Sequence, residues 1–305
     1  MAAIIEVKDL VKRYGDFTAV NGISFSVEAG ETFGILGPNG AGKTTTLEMI
    51  EGLKEISGGS VTVDGKDAAR ETHAVKSVIG VQLQASSFFD GLNLAELINV
   101  FAALYGREVD PLELLKEVQL EEKASSRVNE LSGGQKQRLS IAIGLVNDPK
   151  VLFLDEPTTG LDPQARRNLW DLVVAIKKKG KTVVLTTHCM DEAEVLCDRI
   201  AIMDNAKIIA LDTVENLLAT AGVHPRIEFK TQTPFPEQKL QALPGVEKIE
   251  HENTTYFLTT SASQATLDAL FTLARGGHID LEELTVRRAT LEDVFLKLTG
   301  HQLRD

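Results

Sequence analysis

Residues 33–50 read FGILGPNGAGKTTTLEMI. The apolar run Phe33–Leu36 has the texture of a short strand buried on both faces of a parallel sheet. Residues 37–44, GPNGAGKT, then fit the pattern G-x-x-x-x-G-K-[ST], and Thr45–Glu51 continue as a helix. Strand, glycine-rich loop and helix in that order turn backbone N–H groups toward an anion at a helix N-terminus. The pattern predicts that Gly37, Pro38, Asn39, Gly40, Ala41, Gly42, Lys43, Thr44 and Thr45 cradle the phosphates of a nucleotide. Lys43 would reach the β- and γ-phosphates and the Thr44 hydroxyl would ligate Mg²⁺. A glycine-rich turn with a chance lysine would explain the glycines but not every fixed position in this context.

Outward from the loop, the first ~220 residues alternate apolar runs with helical periodicity, as an α/β fold does. Candidate strands are Ile4–Val7, Thr32–Leu36, Val61–Val63, Ile79–Leu83, Val151–Leu154, Thr182–Thr186 and Ile200–Met203. Candidate helices are Leu94–Leu104, Pro111–Val118, Gly134–Leu145 and Pro163–Lys178. The texture changes at Ala221-Gly222, where Pro225, Pro234, Pro236 and Pro244 follow in quick succession. We therefore expect one domain over residues 1–221 and a second over 222–305. The second reads as strand 226–230, helix 237–242, strands 246–251 and 255–259, helix 263–274, strand 279–287 and helix 291–298. That is a ferredoxin-like α+β pattern with one extra helix. In the last segment Thr290 and Asp293 are spaced as a capping box, ahead of an apolar stripe of Leu291, Val294, Phe295 and Leu298.

Composition sets outer limits. The chain has 305 residues, 43% of them hydrophobic, and a net charge of −12. An acidic surface repels phosphate backbones, which argues against a nucleic-acid partner. No stretch approaches the ~18 consecutive apolar residues of a membrane span. The opening MAAIIEVKDL lacks the basic-then-apolar order of a secretory signal. Cys189 and Cys197 are too few for a disulfide framework or a zinc site and read as reduced thiols.

Two further stretches carry chemistry. Residues 151–157, VLFLDEP, put two carboxylates at the C-terminal end of a buried strand, where ligands of open α/β sheets bind. Asp155 is placed for the Mg²⁺ shell, and strand alternation would turn Glu156 toward a γ-phosphate to polarise water. A solvated acidic turn would be the simpler reading of this pair without the phosphate loop upstream. Residues 131–138, LSGGQKQR, open a second helix with Ser132, Gly133 and Gly134, and its N–H groups again suit an anion. Helix capping accounts for Ser132 but not for the whole octapeptide.

With the LSGGQ stretch the chain resembles the nucleotide-binding subunit of an ABC transporter, over about residues 4–220. The resemblance implies a P-loop cassette with a RecA-like core sheet, an antiparallel β subdomain and a helical subdomain. It implies two copies packed head to tail, each ATP held between one copy's phosphate loop and the other's Ser132, Gly133, Gly134 and Gln135. Tyr14, in KRYGDF, matches the aromatic that stacks on adenine. Gln84 matches the glutamine of the Mg²⁺ and water shell, although GVQLQ lacks the proline often found before it and Gln82 competes for the role. Asp162, in TGLD, matches the loop between the two sites. His188, in TTHCMDEAE, matches the switch histidine near the γ-phosphate, and Cys189 beside it reads as a small buried residue. Lys43, Gln84, Glu156 and His188 are the implied catalytic set, and Thr44, Gln84 and Asp155 the implied metal ligands. The expected cofactors are ATP and Mg²⁺.

The same resemblance implies separate transmembrane permease subunits, docking around Gln84–Leu92, where Phe88 and Phe89 stand side by side. The chain would then lie in the cytoplasm on the inner face of the cell membrane. The phrase ATLEDVFLKLTG (289–300) resembles the end of type-2 exporter ATPases of the daunorubicin-resistance kind. Two other members of the wider family stand as alternatives. A soluble ATPase of translation or DNA repair would carry two cassettes or a coiled-coil insertion, and an importer ATPase would carry a differently built tail.

Overall fold

The computed structural model describes residues 3–82, 88–89, 91–233, 235–277 and 279–300. Two long strands come first, β1 (Ala3–Tyr14) and β2 (Phe17–Glu28), paired antiparallel across a turn at Gly15-Asp16. The sequence reading missed β2 and the second half of β1. It looked for continuous apolar runs, whereas Ile23, Phe25 and Val27 alternate with polar residues, as in a strand with one wet face. Next, β3 (Thr32–Leu36) enters a different sheet and leads through the glycine loop into α1 (Lys43–Ile50). The strands β4 (Gly58–Val63) and β5 (Lys66–Asp67) return to the first sheet, whose order is β2-β1-β4-β5.

After α2 (Thr72–Lys76), β6 (Ile79–Gln82) takes the edge of the second sheet. A helical part follows, α3 (Leu94–Leu104), α4 (Pro111–Glu117) and α5 (Gly133–Leu145). The chain re-enters the sheet as β7 (Val151–Asp155), crosses over through α6 (Pro163–Lys178) to β8 (Thr182–Thr187), and through α7 (Met190–Leu196) to β9 (Arg199–Asp204) and β10 (Lys207–Asp212). The sheet order is β10-β9-β3-β8-β7-β6, and all neighbours are parallel except the β10–β9 pair. Strands β3, β7 and β8 are buried along their whole lengths, because both faces of the sheet are covered, one of them in part by the antiparallel sheet, where Phe25 stacks on Phe33. A core sheet, an antiparallel β part and a helical part are thus all present, as expected. One hydrophobic cluster joins the two sheets, with Ile5, Val7 and Val27 from the antiparallel part, Leu47 and Ile50 from α1, and Phe33, Phe153 and Val184 from the core sheet.

The chain divides into two compact units, the first reaching Val214 and the second starting at Glu215. The helix α8 (Val214–Ala221) begins at that division. The second unit carries β11 (Arg226–Lys230), α9 (Glu237–Gln241), β12 (Val246–Glu252), β13 (Thr255–Thr260), α10 (Ser263–Gly277), β14 (Glu282–Arg287) and α11 (Leu291–Thr299). Its sheet order β12-β13-β11-β14, with every neighbouring pair antiparallel, is that of a split βαββαβ motif. Ile227, Phe229, Tyr256 and Leu258 on one sheet face pack with Leu240 of α9 and Leu270 of α10. Thr290 and Asp293 form the capping box of α11, but Leu298 is 44% exposed, so the buried stripe ends at Phe295.

Candidate functional site

Because β3, β7 and β8 are parallel neighbours, their C-terminal ends meet at one edge, and three functional turns leave from it. The register sets Leu36 opposite Thr187 and Asp155 opposite Thr186. Beyond them stand the glycine loop after β3, Glu156 after β7 and His188 after β8.

The loop is built for close approach. A Cβ on Gly37 would lie 2.2 Å from the Met203 carbonyl oxygen, and one on Gly42 would lie 2.4 Å from that of Ala19. Gly42 also has φ near 101°, which only glycine adopts without strain. It is the N-cap of α1 and offers no capping side chain, so the first N–H groups of this helix are left for a ligand. Lys43, 4% exposed, folds back under the loop. Its ammonium donates to the carbonyls of Gly37 at 2.9 Å and Pro38 at 3.2 Å, and pairs with Glu156 Oε1 at 3.1 Å.

The carboxylates differ in their surroundings. Asp155 accepts from the hydroxyls of Thr44, at 3.1 Å, and Thr186. Burial raises its carboxyl above the ordinary value, against the pull of those two hydrogen bonds. The strand ends at Asp155, so alternation does not turn Glu156, as the sequence reading supposed. Glu156 instead takes a left-handed φ of 47°, while its N–H donates to the Thr186 carbonyl at 3.1 Å. Its Oε2 meets His188 Nδ1 at 3.1 Å and accepts from the Thr159 hydroxyl at 3.1 Å. Burial would raise the Glu156 carboxyl, but the Lys43 ammonium, helped by His188 and Thr159, outweighs it and holds the group below its usual range. A carboxylate kept ionised beside a cation and an imidazole can orient and polarise water.

A cleft of about 440 Å³ runs from this cluster along the loop. Asn39, Gly40, Gly42, Lys43, Thr44, Thr45 and Glu156 line it together with Tyr14 and Phe17. The Tyr14 ring carries the ammonium groups of Lys12 and Lys54 at 5.1 and 5.9 Å from its centre. Phosphates at the helix start and a planar base beside Tyr14 fit this layout. A Mg²⁺ ion also fits, because the Thr44 hydroxyl and Asp155 carboxylate are the hard oxygen donors it takes. No cluster of three or more His, Cys, Asp or Glu stands ready for a metal among the described residues. Two protein oxygens with phosphate and water completing the shell is the usual Mg²⁺ arrangement.

Tyr14, the loop, Lys43, Thr44, Asp155, Glu156 and His188 are thus brought together within one chain. Ser132, Gly133, Gly134 and Gln135 do not line this cleft; they start α5. There Ser132 and Gln135 form a capping box, so both side chains are engaged in their own helix start. Asp162 likewise caps α6, accepting from Ala165 N–H at 2.8 Å. Gln84 lies outside the described residues, while its competitor Gln82 is fully buried in β6. Phe88 is half-buried and Phe89 is 58% exposed. Cys189 is half-buried rather than buried, and Cys197 is buried. Sequence reading missed Thr186, Thr187 and Thr159. The signal was there in the run VVLTTH, where two hydroxyls end an otherwise apolar buried strand.

A family model described as ABC transporter matches residues 20–159. The Nod factor export ATP-binding protein I of Paraburkholderia xenovorans (strain LB400) is 40% identical over 310 residues, covering 99% of this chain and 99% of that protein. The linearmycin resistance ATP-binding protein LnrL of Bacillus subtilis (strain 168) is 36% identical over 312 residues, covering 99% of this chain and 100% of that protein. Among solved structures, cbiO1 of Clostridium perfringens, part of the ABC transporter complex cbiONQ, superposes with a TM-score of 0.66 at 30% identity over 72% of this chain and 92% of its own. A dimeric ATP-binding cassette in a post-hydrolysis state with ADP and phosphate superposes with a TM-score of 0.62 at 27% identity, over 68% of this chain and 98% of its own.

Proposed function

The chain belongs to the ABC transporter family as an ATP-binding, ATP-hydrolysing subunit, and on that premise we propose that it powers an exporter. Relatives spanning its full length are named for Nod factor export and for linearmycin resistance, which supports outward transport. In this reading two copies close head to tail, and each copy's Ser132, Gly133, Gly134 and Gln135 face the γ-phosphate held by the other. Closure requires Gln135 to trade its capping contact for the nucleotide. Separate transmembrane subunits dock near Gln84–Leu92, where exposed Phe89 offers an apolar anchor. The chain then works at the inner face of the membrane, and among the described residues no helix is long and apolar enough to cross it.

The observation that carries the reading is the contact set Lys43–Glu156–His188, with the first two side chains buried, the third half-buried, and 3.1 Å on each side of the carboxylate. Tyr14 stacks on adenine, and Asn39 to Thr45 hold the phosphates with backbone N–H groups. An arriving phosphate competes with Glu156 for the Lys43 ammonium. Lys43 then neutralises the phosphate, and Glu156 is released toward the attacking water. His188 orients the γ-phosphate and holds Glu156 from the other side. Thr44 and Asp155, with Gln84, would hold Mg²⁺, which supplies charge neutralisation at the β- and γ-phosphates. Asp162 lies between the two sites of the closed pair. Separation of charge between ADP and phosphate then loosens the dimer. Steady-state ATP turnover of the Glu156→Gln chain tests this: hydrolysis falls by about 10²-fold or more with nucleotide still bound. Turnover at the unmutated rate refutes the role of Glu156.

A further inference from the structure

The second unit holds a cavity of about 550 Å³, larger than the nucleotide cleft and built wholly from its own residues. One face of its sheet is apolar and packs on α9 and α10. The other face is charged, and the strand register sets those charges in rows. Lys248, Thr259, Arg226 and Arg287 stand opposite one another across β12, β13, β11 and β14. Register partners on antiparallel strands share a face, so this row presents three cations and a hydroxyl in one line. All four residues line the cavity. Arg288, in the turn after β14, and Lys297 of α11 line it as well. The Lys297 ammonium donates to the Gly222 carbonyl at 2.8 Å, which ties α11 to the segment leading into β11.

The positive charge here is not fully matched. The next row of the sheet supplies two carboxylates, Glu250 and Glu228, with Phe257 between them. Glu250 takes Arg226 at 3.1 Å and Lys248 at 2.7 Å, and Glu228 takes Arg287 at 3.5 Å. Two further lining acids are engaged away from the row, Glu247 with His224 at 3.3 Å and Asp293 in the cap of α11. Arg288 is exposed and has no acidic partner among the described residues. With Glu292 counted, the lining carries five Lys or Arg side chains and four acids, in a chain whose net charge is −12. The Arg226 guanidinium lies 4.0 Å from the centre of the Phe257 ring, which fixes its plane and leaves part of its donor fork for oxygens.

We propose that this cavity binds a small organic phosphate, held between the cation row of the sheet and the side chains of Arg288 and Lys297. A single carboxylate is matched by one guanidinium, whereas a phosphate dianion with three free oxygens uses cations arriving from a sheet, a turn and a helix together. The volume is that of a small-molecule site and far exceeds a bare phosphate, so the ligand carries an organic part. Val223, Phe257 and Leu296 give that part apolar wall. The same chemistry is offered by a soluble phosphate ester and by a phospholipid headgroup.

The test is titration calorimetry on the full chain saturated with ADP and Mg²⁺, so that the phosphate loop is already filled. The probes are glycerol 3-phosphate and succinate. Vesicles of phosphatidylglycerol in phosphatidylcholine, scored by co-sedimentation, form a separate arm. Glycerol 3-phosphate is expected to bind at one site, at least about five-fold tighter than succinate, and Arg288→Gln weakens it at least about ten-fold. Because Arg288 has no acidic partner to lose, that variant melts like the unmutated chain. Binding of the free ester without the vesicles assigns a soluble ligand, and vesicle binding that Arg288→Gln removes assigns a headgroup. Three results overturn the proposal: no binding in either arm, succinate bound as tightly as the phosphate, or binding that Arg287→Gln and Arg288→Gln together leave intact. ATP turnover plays no part in this readout, so the proposal and the functional reading fail separately.

Discussion

Without nucleotide, Lys43 and Glu156 hold each other, and that pairing makes the phosphate loop part of the stability of the first unit. Their side chains are 4% and 7% exposed, with the charged atoms 3.1 Å apart. At that distance and an effective dielectric of about 20, the attraction is about 5 kcal/mol, most of which offsets the cost of burying two charges. Removing one partner exposes that cost. Lys43→Met leaves the carboxylate buried with only His188 and Thr159, and unfolding free energy falls by about 3 kcal/mol. Glu156→Gln costs less, about 1–2 kcal/mol, because Lys43 keeps the carbonyls of Gly37 and Pro38. The double variant loses less than the sum of the two by about 1.5 kcal/mol or more.

The pH dependence follows in sign. The Glu156 carboxyl lies below its ordinary value of 4.5. Its contribution is therefore present above about 4.5 and is lost as pH falls through the lower folded value. In Lys43→Met burial dominates, the folded value rises, and stability instead falls as pH climbs past about 4.5. Urea unfolding of the nucleotide-free chain measures both effects. The chain has one tryptophan, Trp170 in α6, so its fluorescence follows the first unit alone. Additive losses, within about 0.5 kcal/mol, refute the reasoning.

Two more outcomes follow from buried groups. Gly37→Ala places a methyl 2.2 Å from the Met203 carbonyl, so the loop must shift, and ATP affinity measured by calorimetry falls at least ten-fold or the chain does not fold. Glu51, at the end of α1, is 1% exposed, has an unpartnered Oε2, and is pushed by burial, and less so by Asp155 and Glu48, up to about 8. A raised carboxyl costs stability as pH rises from about 4.5 to 8, on the order of several kcal/mol, so Glu51→Gln raises Tm at pH 8 and leaves it nearly unchanged at pH 5. An unchanged Tm at pH 8 would contradict that burial argument.

The phosphate loop, Asp155, Glu156 and the signature were legible because each is a short contiguous pattern whose neighbours supply its context. Tyr14 and His188 became legible only through the resemblance, since a lone aromatic or imidazole beside a strand has no local signature. What stayed hidden is made by contacts distant in sequence. The Thr186 hydroxyl reaches Asp155 from the next strand, and the Trp170 indole of α6 reaches Glu192 of α7. Nothing in the sequence marks Glu51 or Glu192 as buried, because charge at helical spacing usually faces water. Only the packing of α1 and α7 shows both to be buried. The strand β2 was missed for a different reason, since one of its faces is wet and its apolar residues beyond Ala19-Val20 alternate with polar or small ones.

The account stands most directly on whether ATP joins two copies of this chain through residues no single copy brings together. The measurement is the mass of the Glu156→Gln chain in solution, by light scattering during size-exclusion chromatography, with and without ATP and Mg²⁺. The account predicts a monomer without nucleotide, a dimer with ATP, and loss of that dimer when Ser132→Arg is added. A Glu156→Gln chain that stays monomeric with ATP bound, or a dimer indifferent to Ser132→Arg, would contradict it.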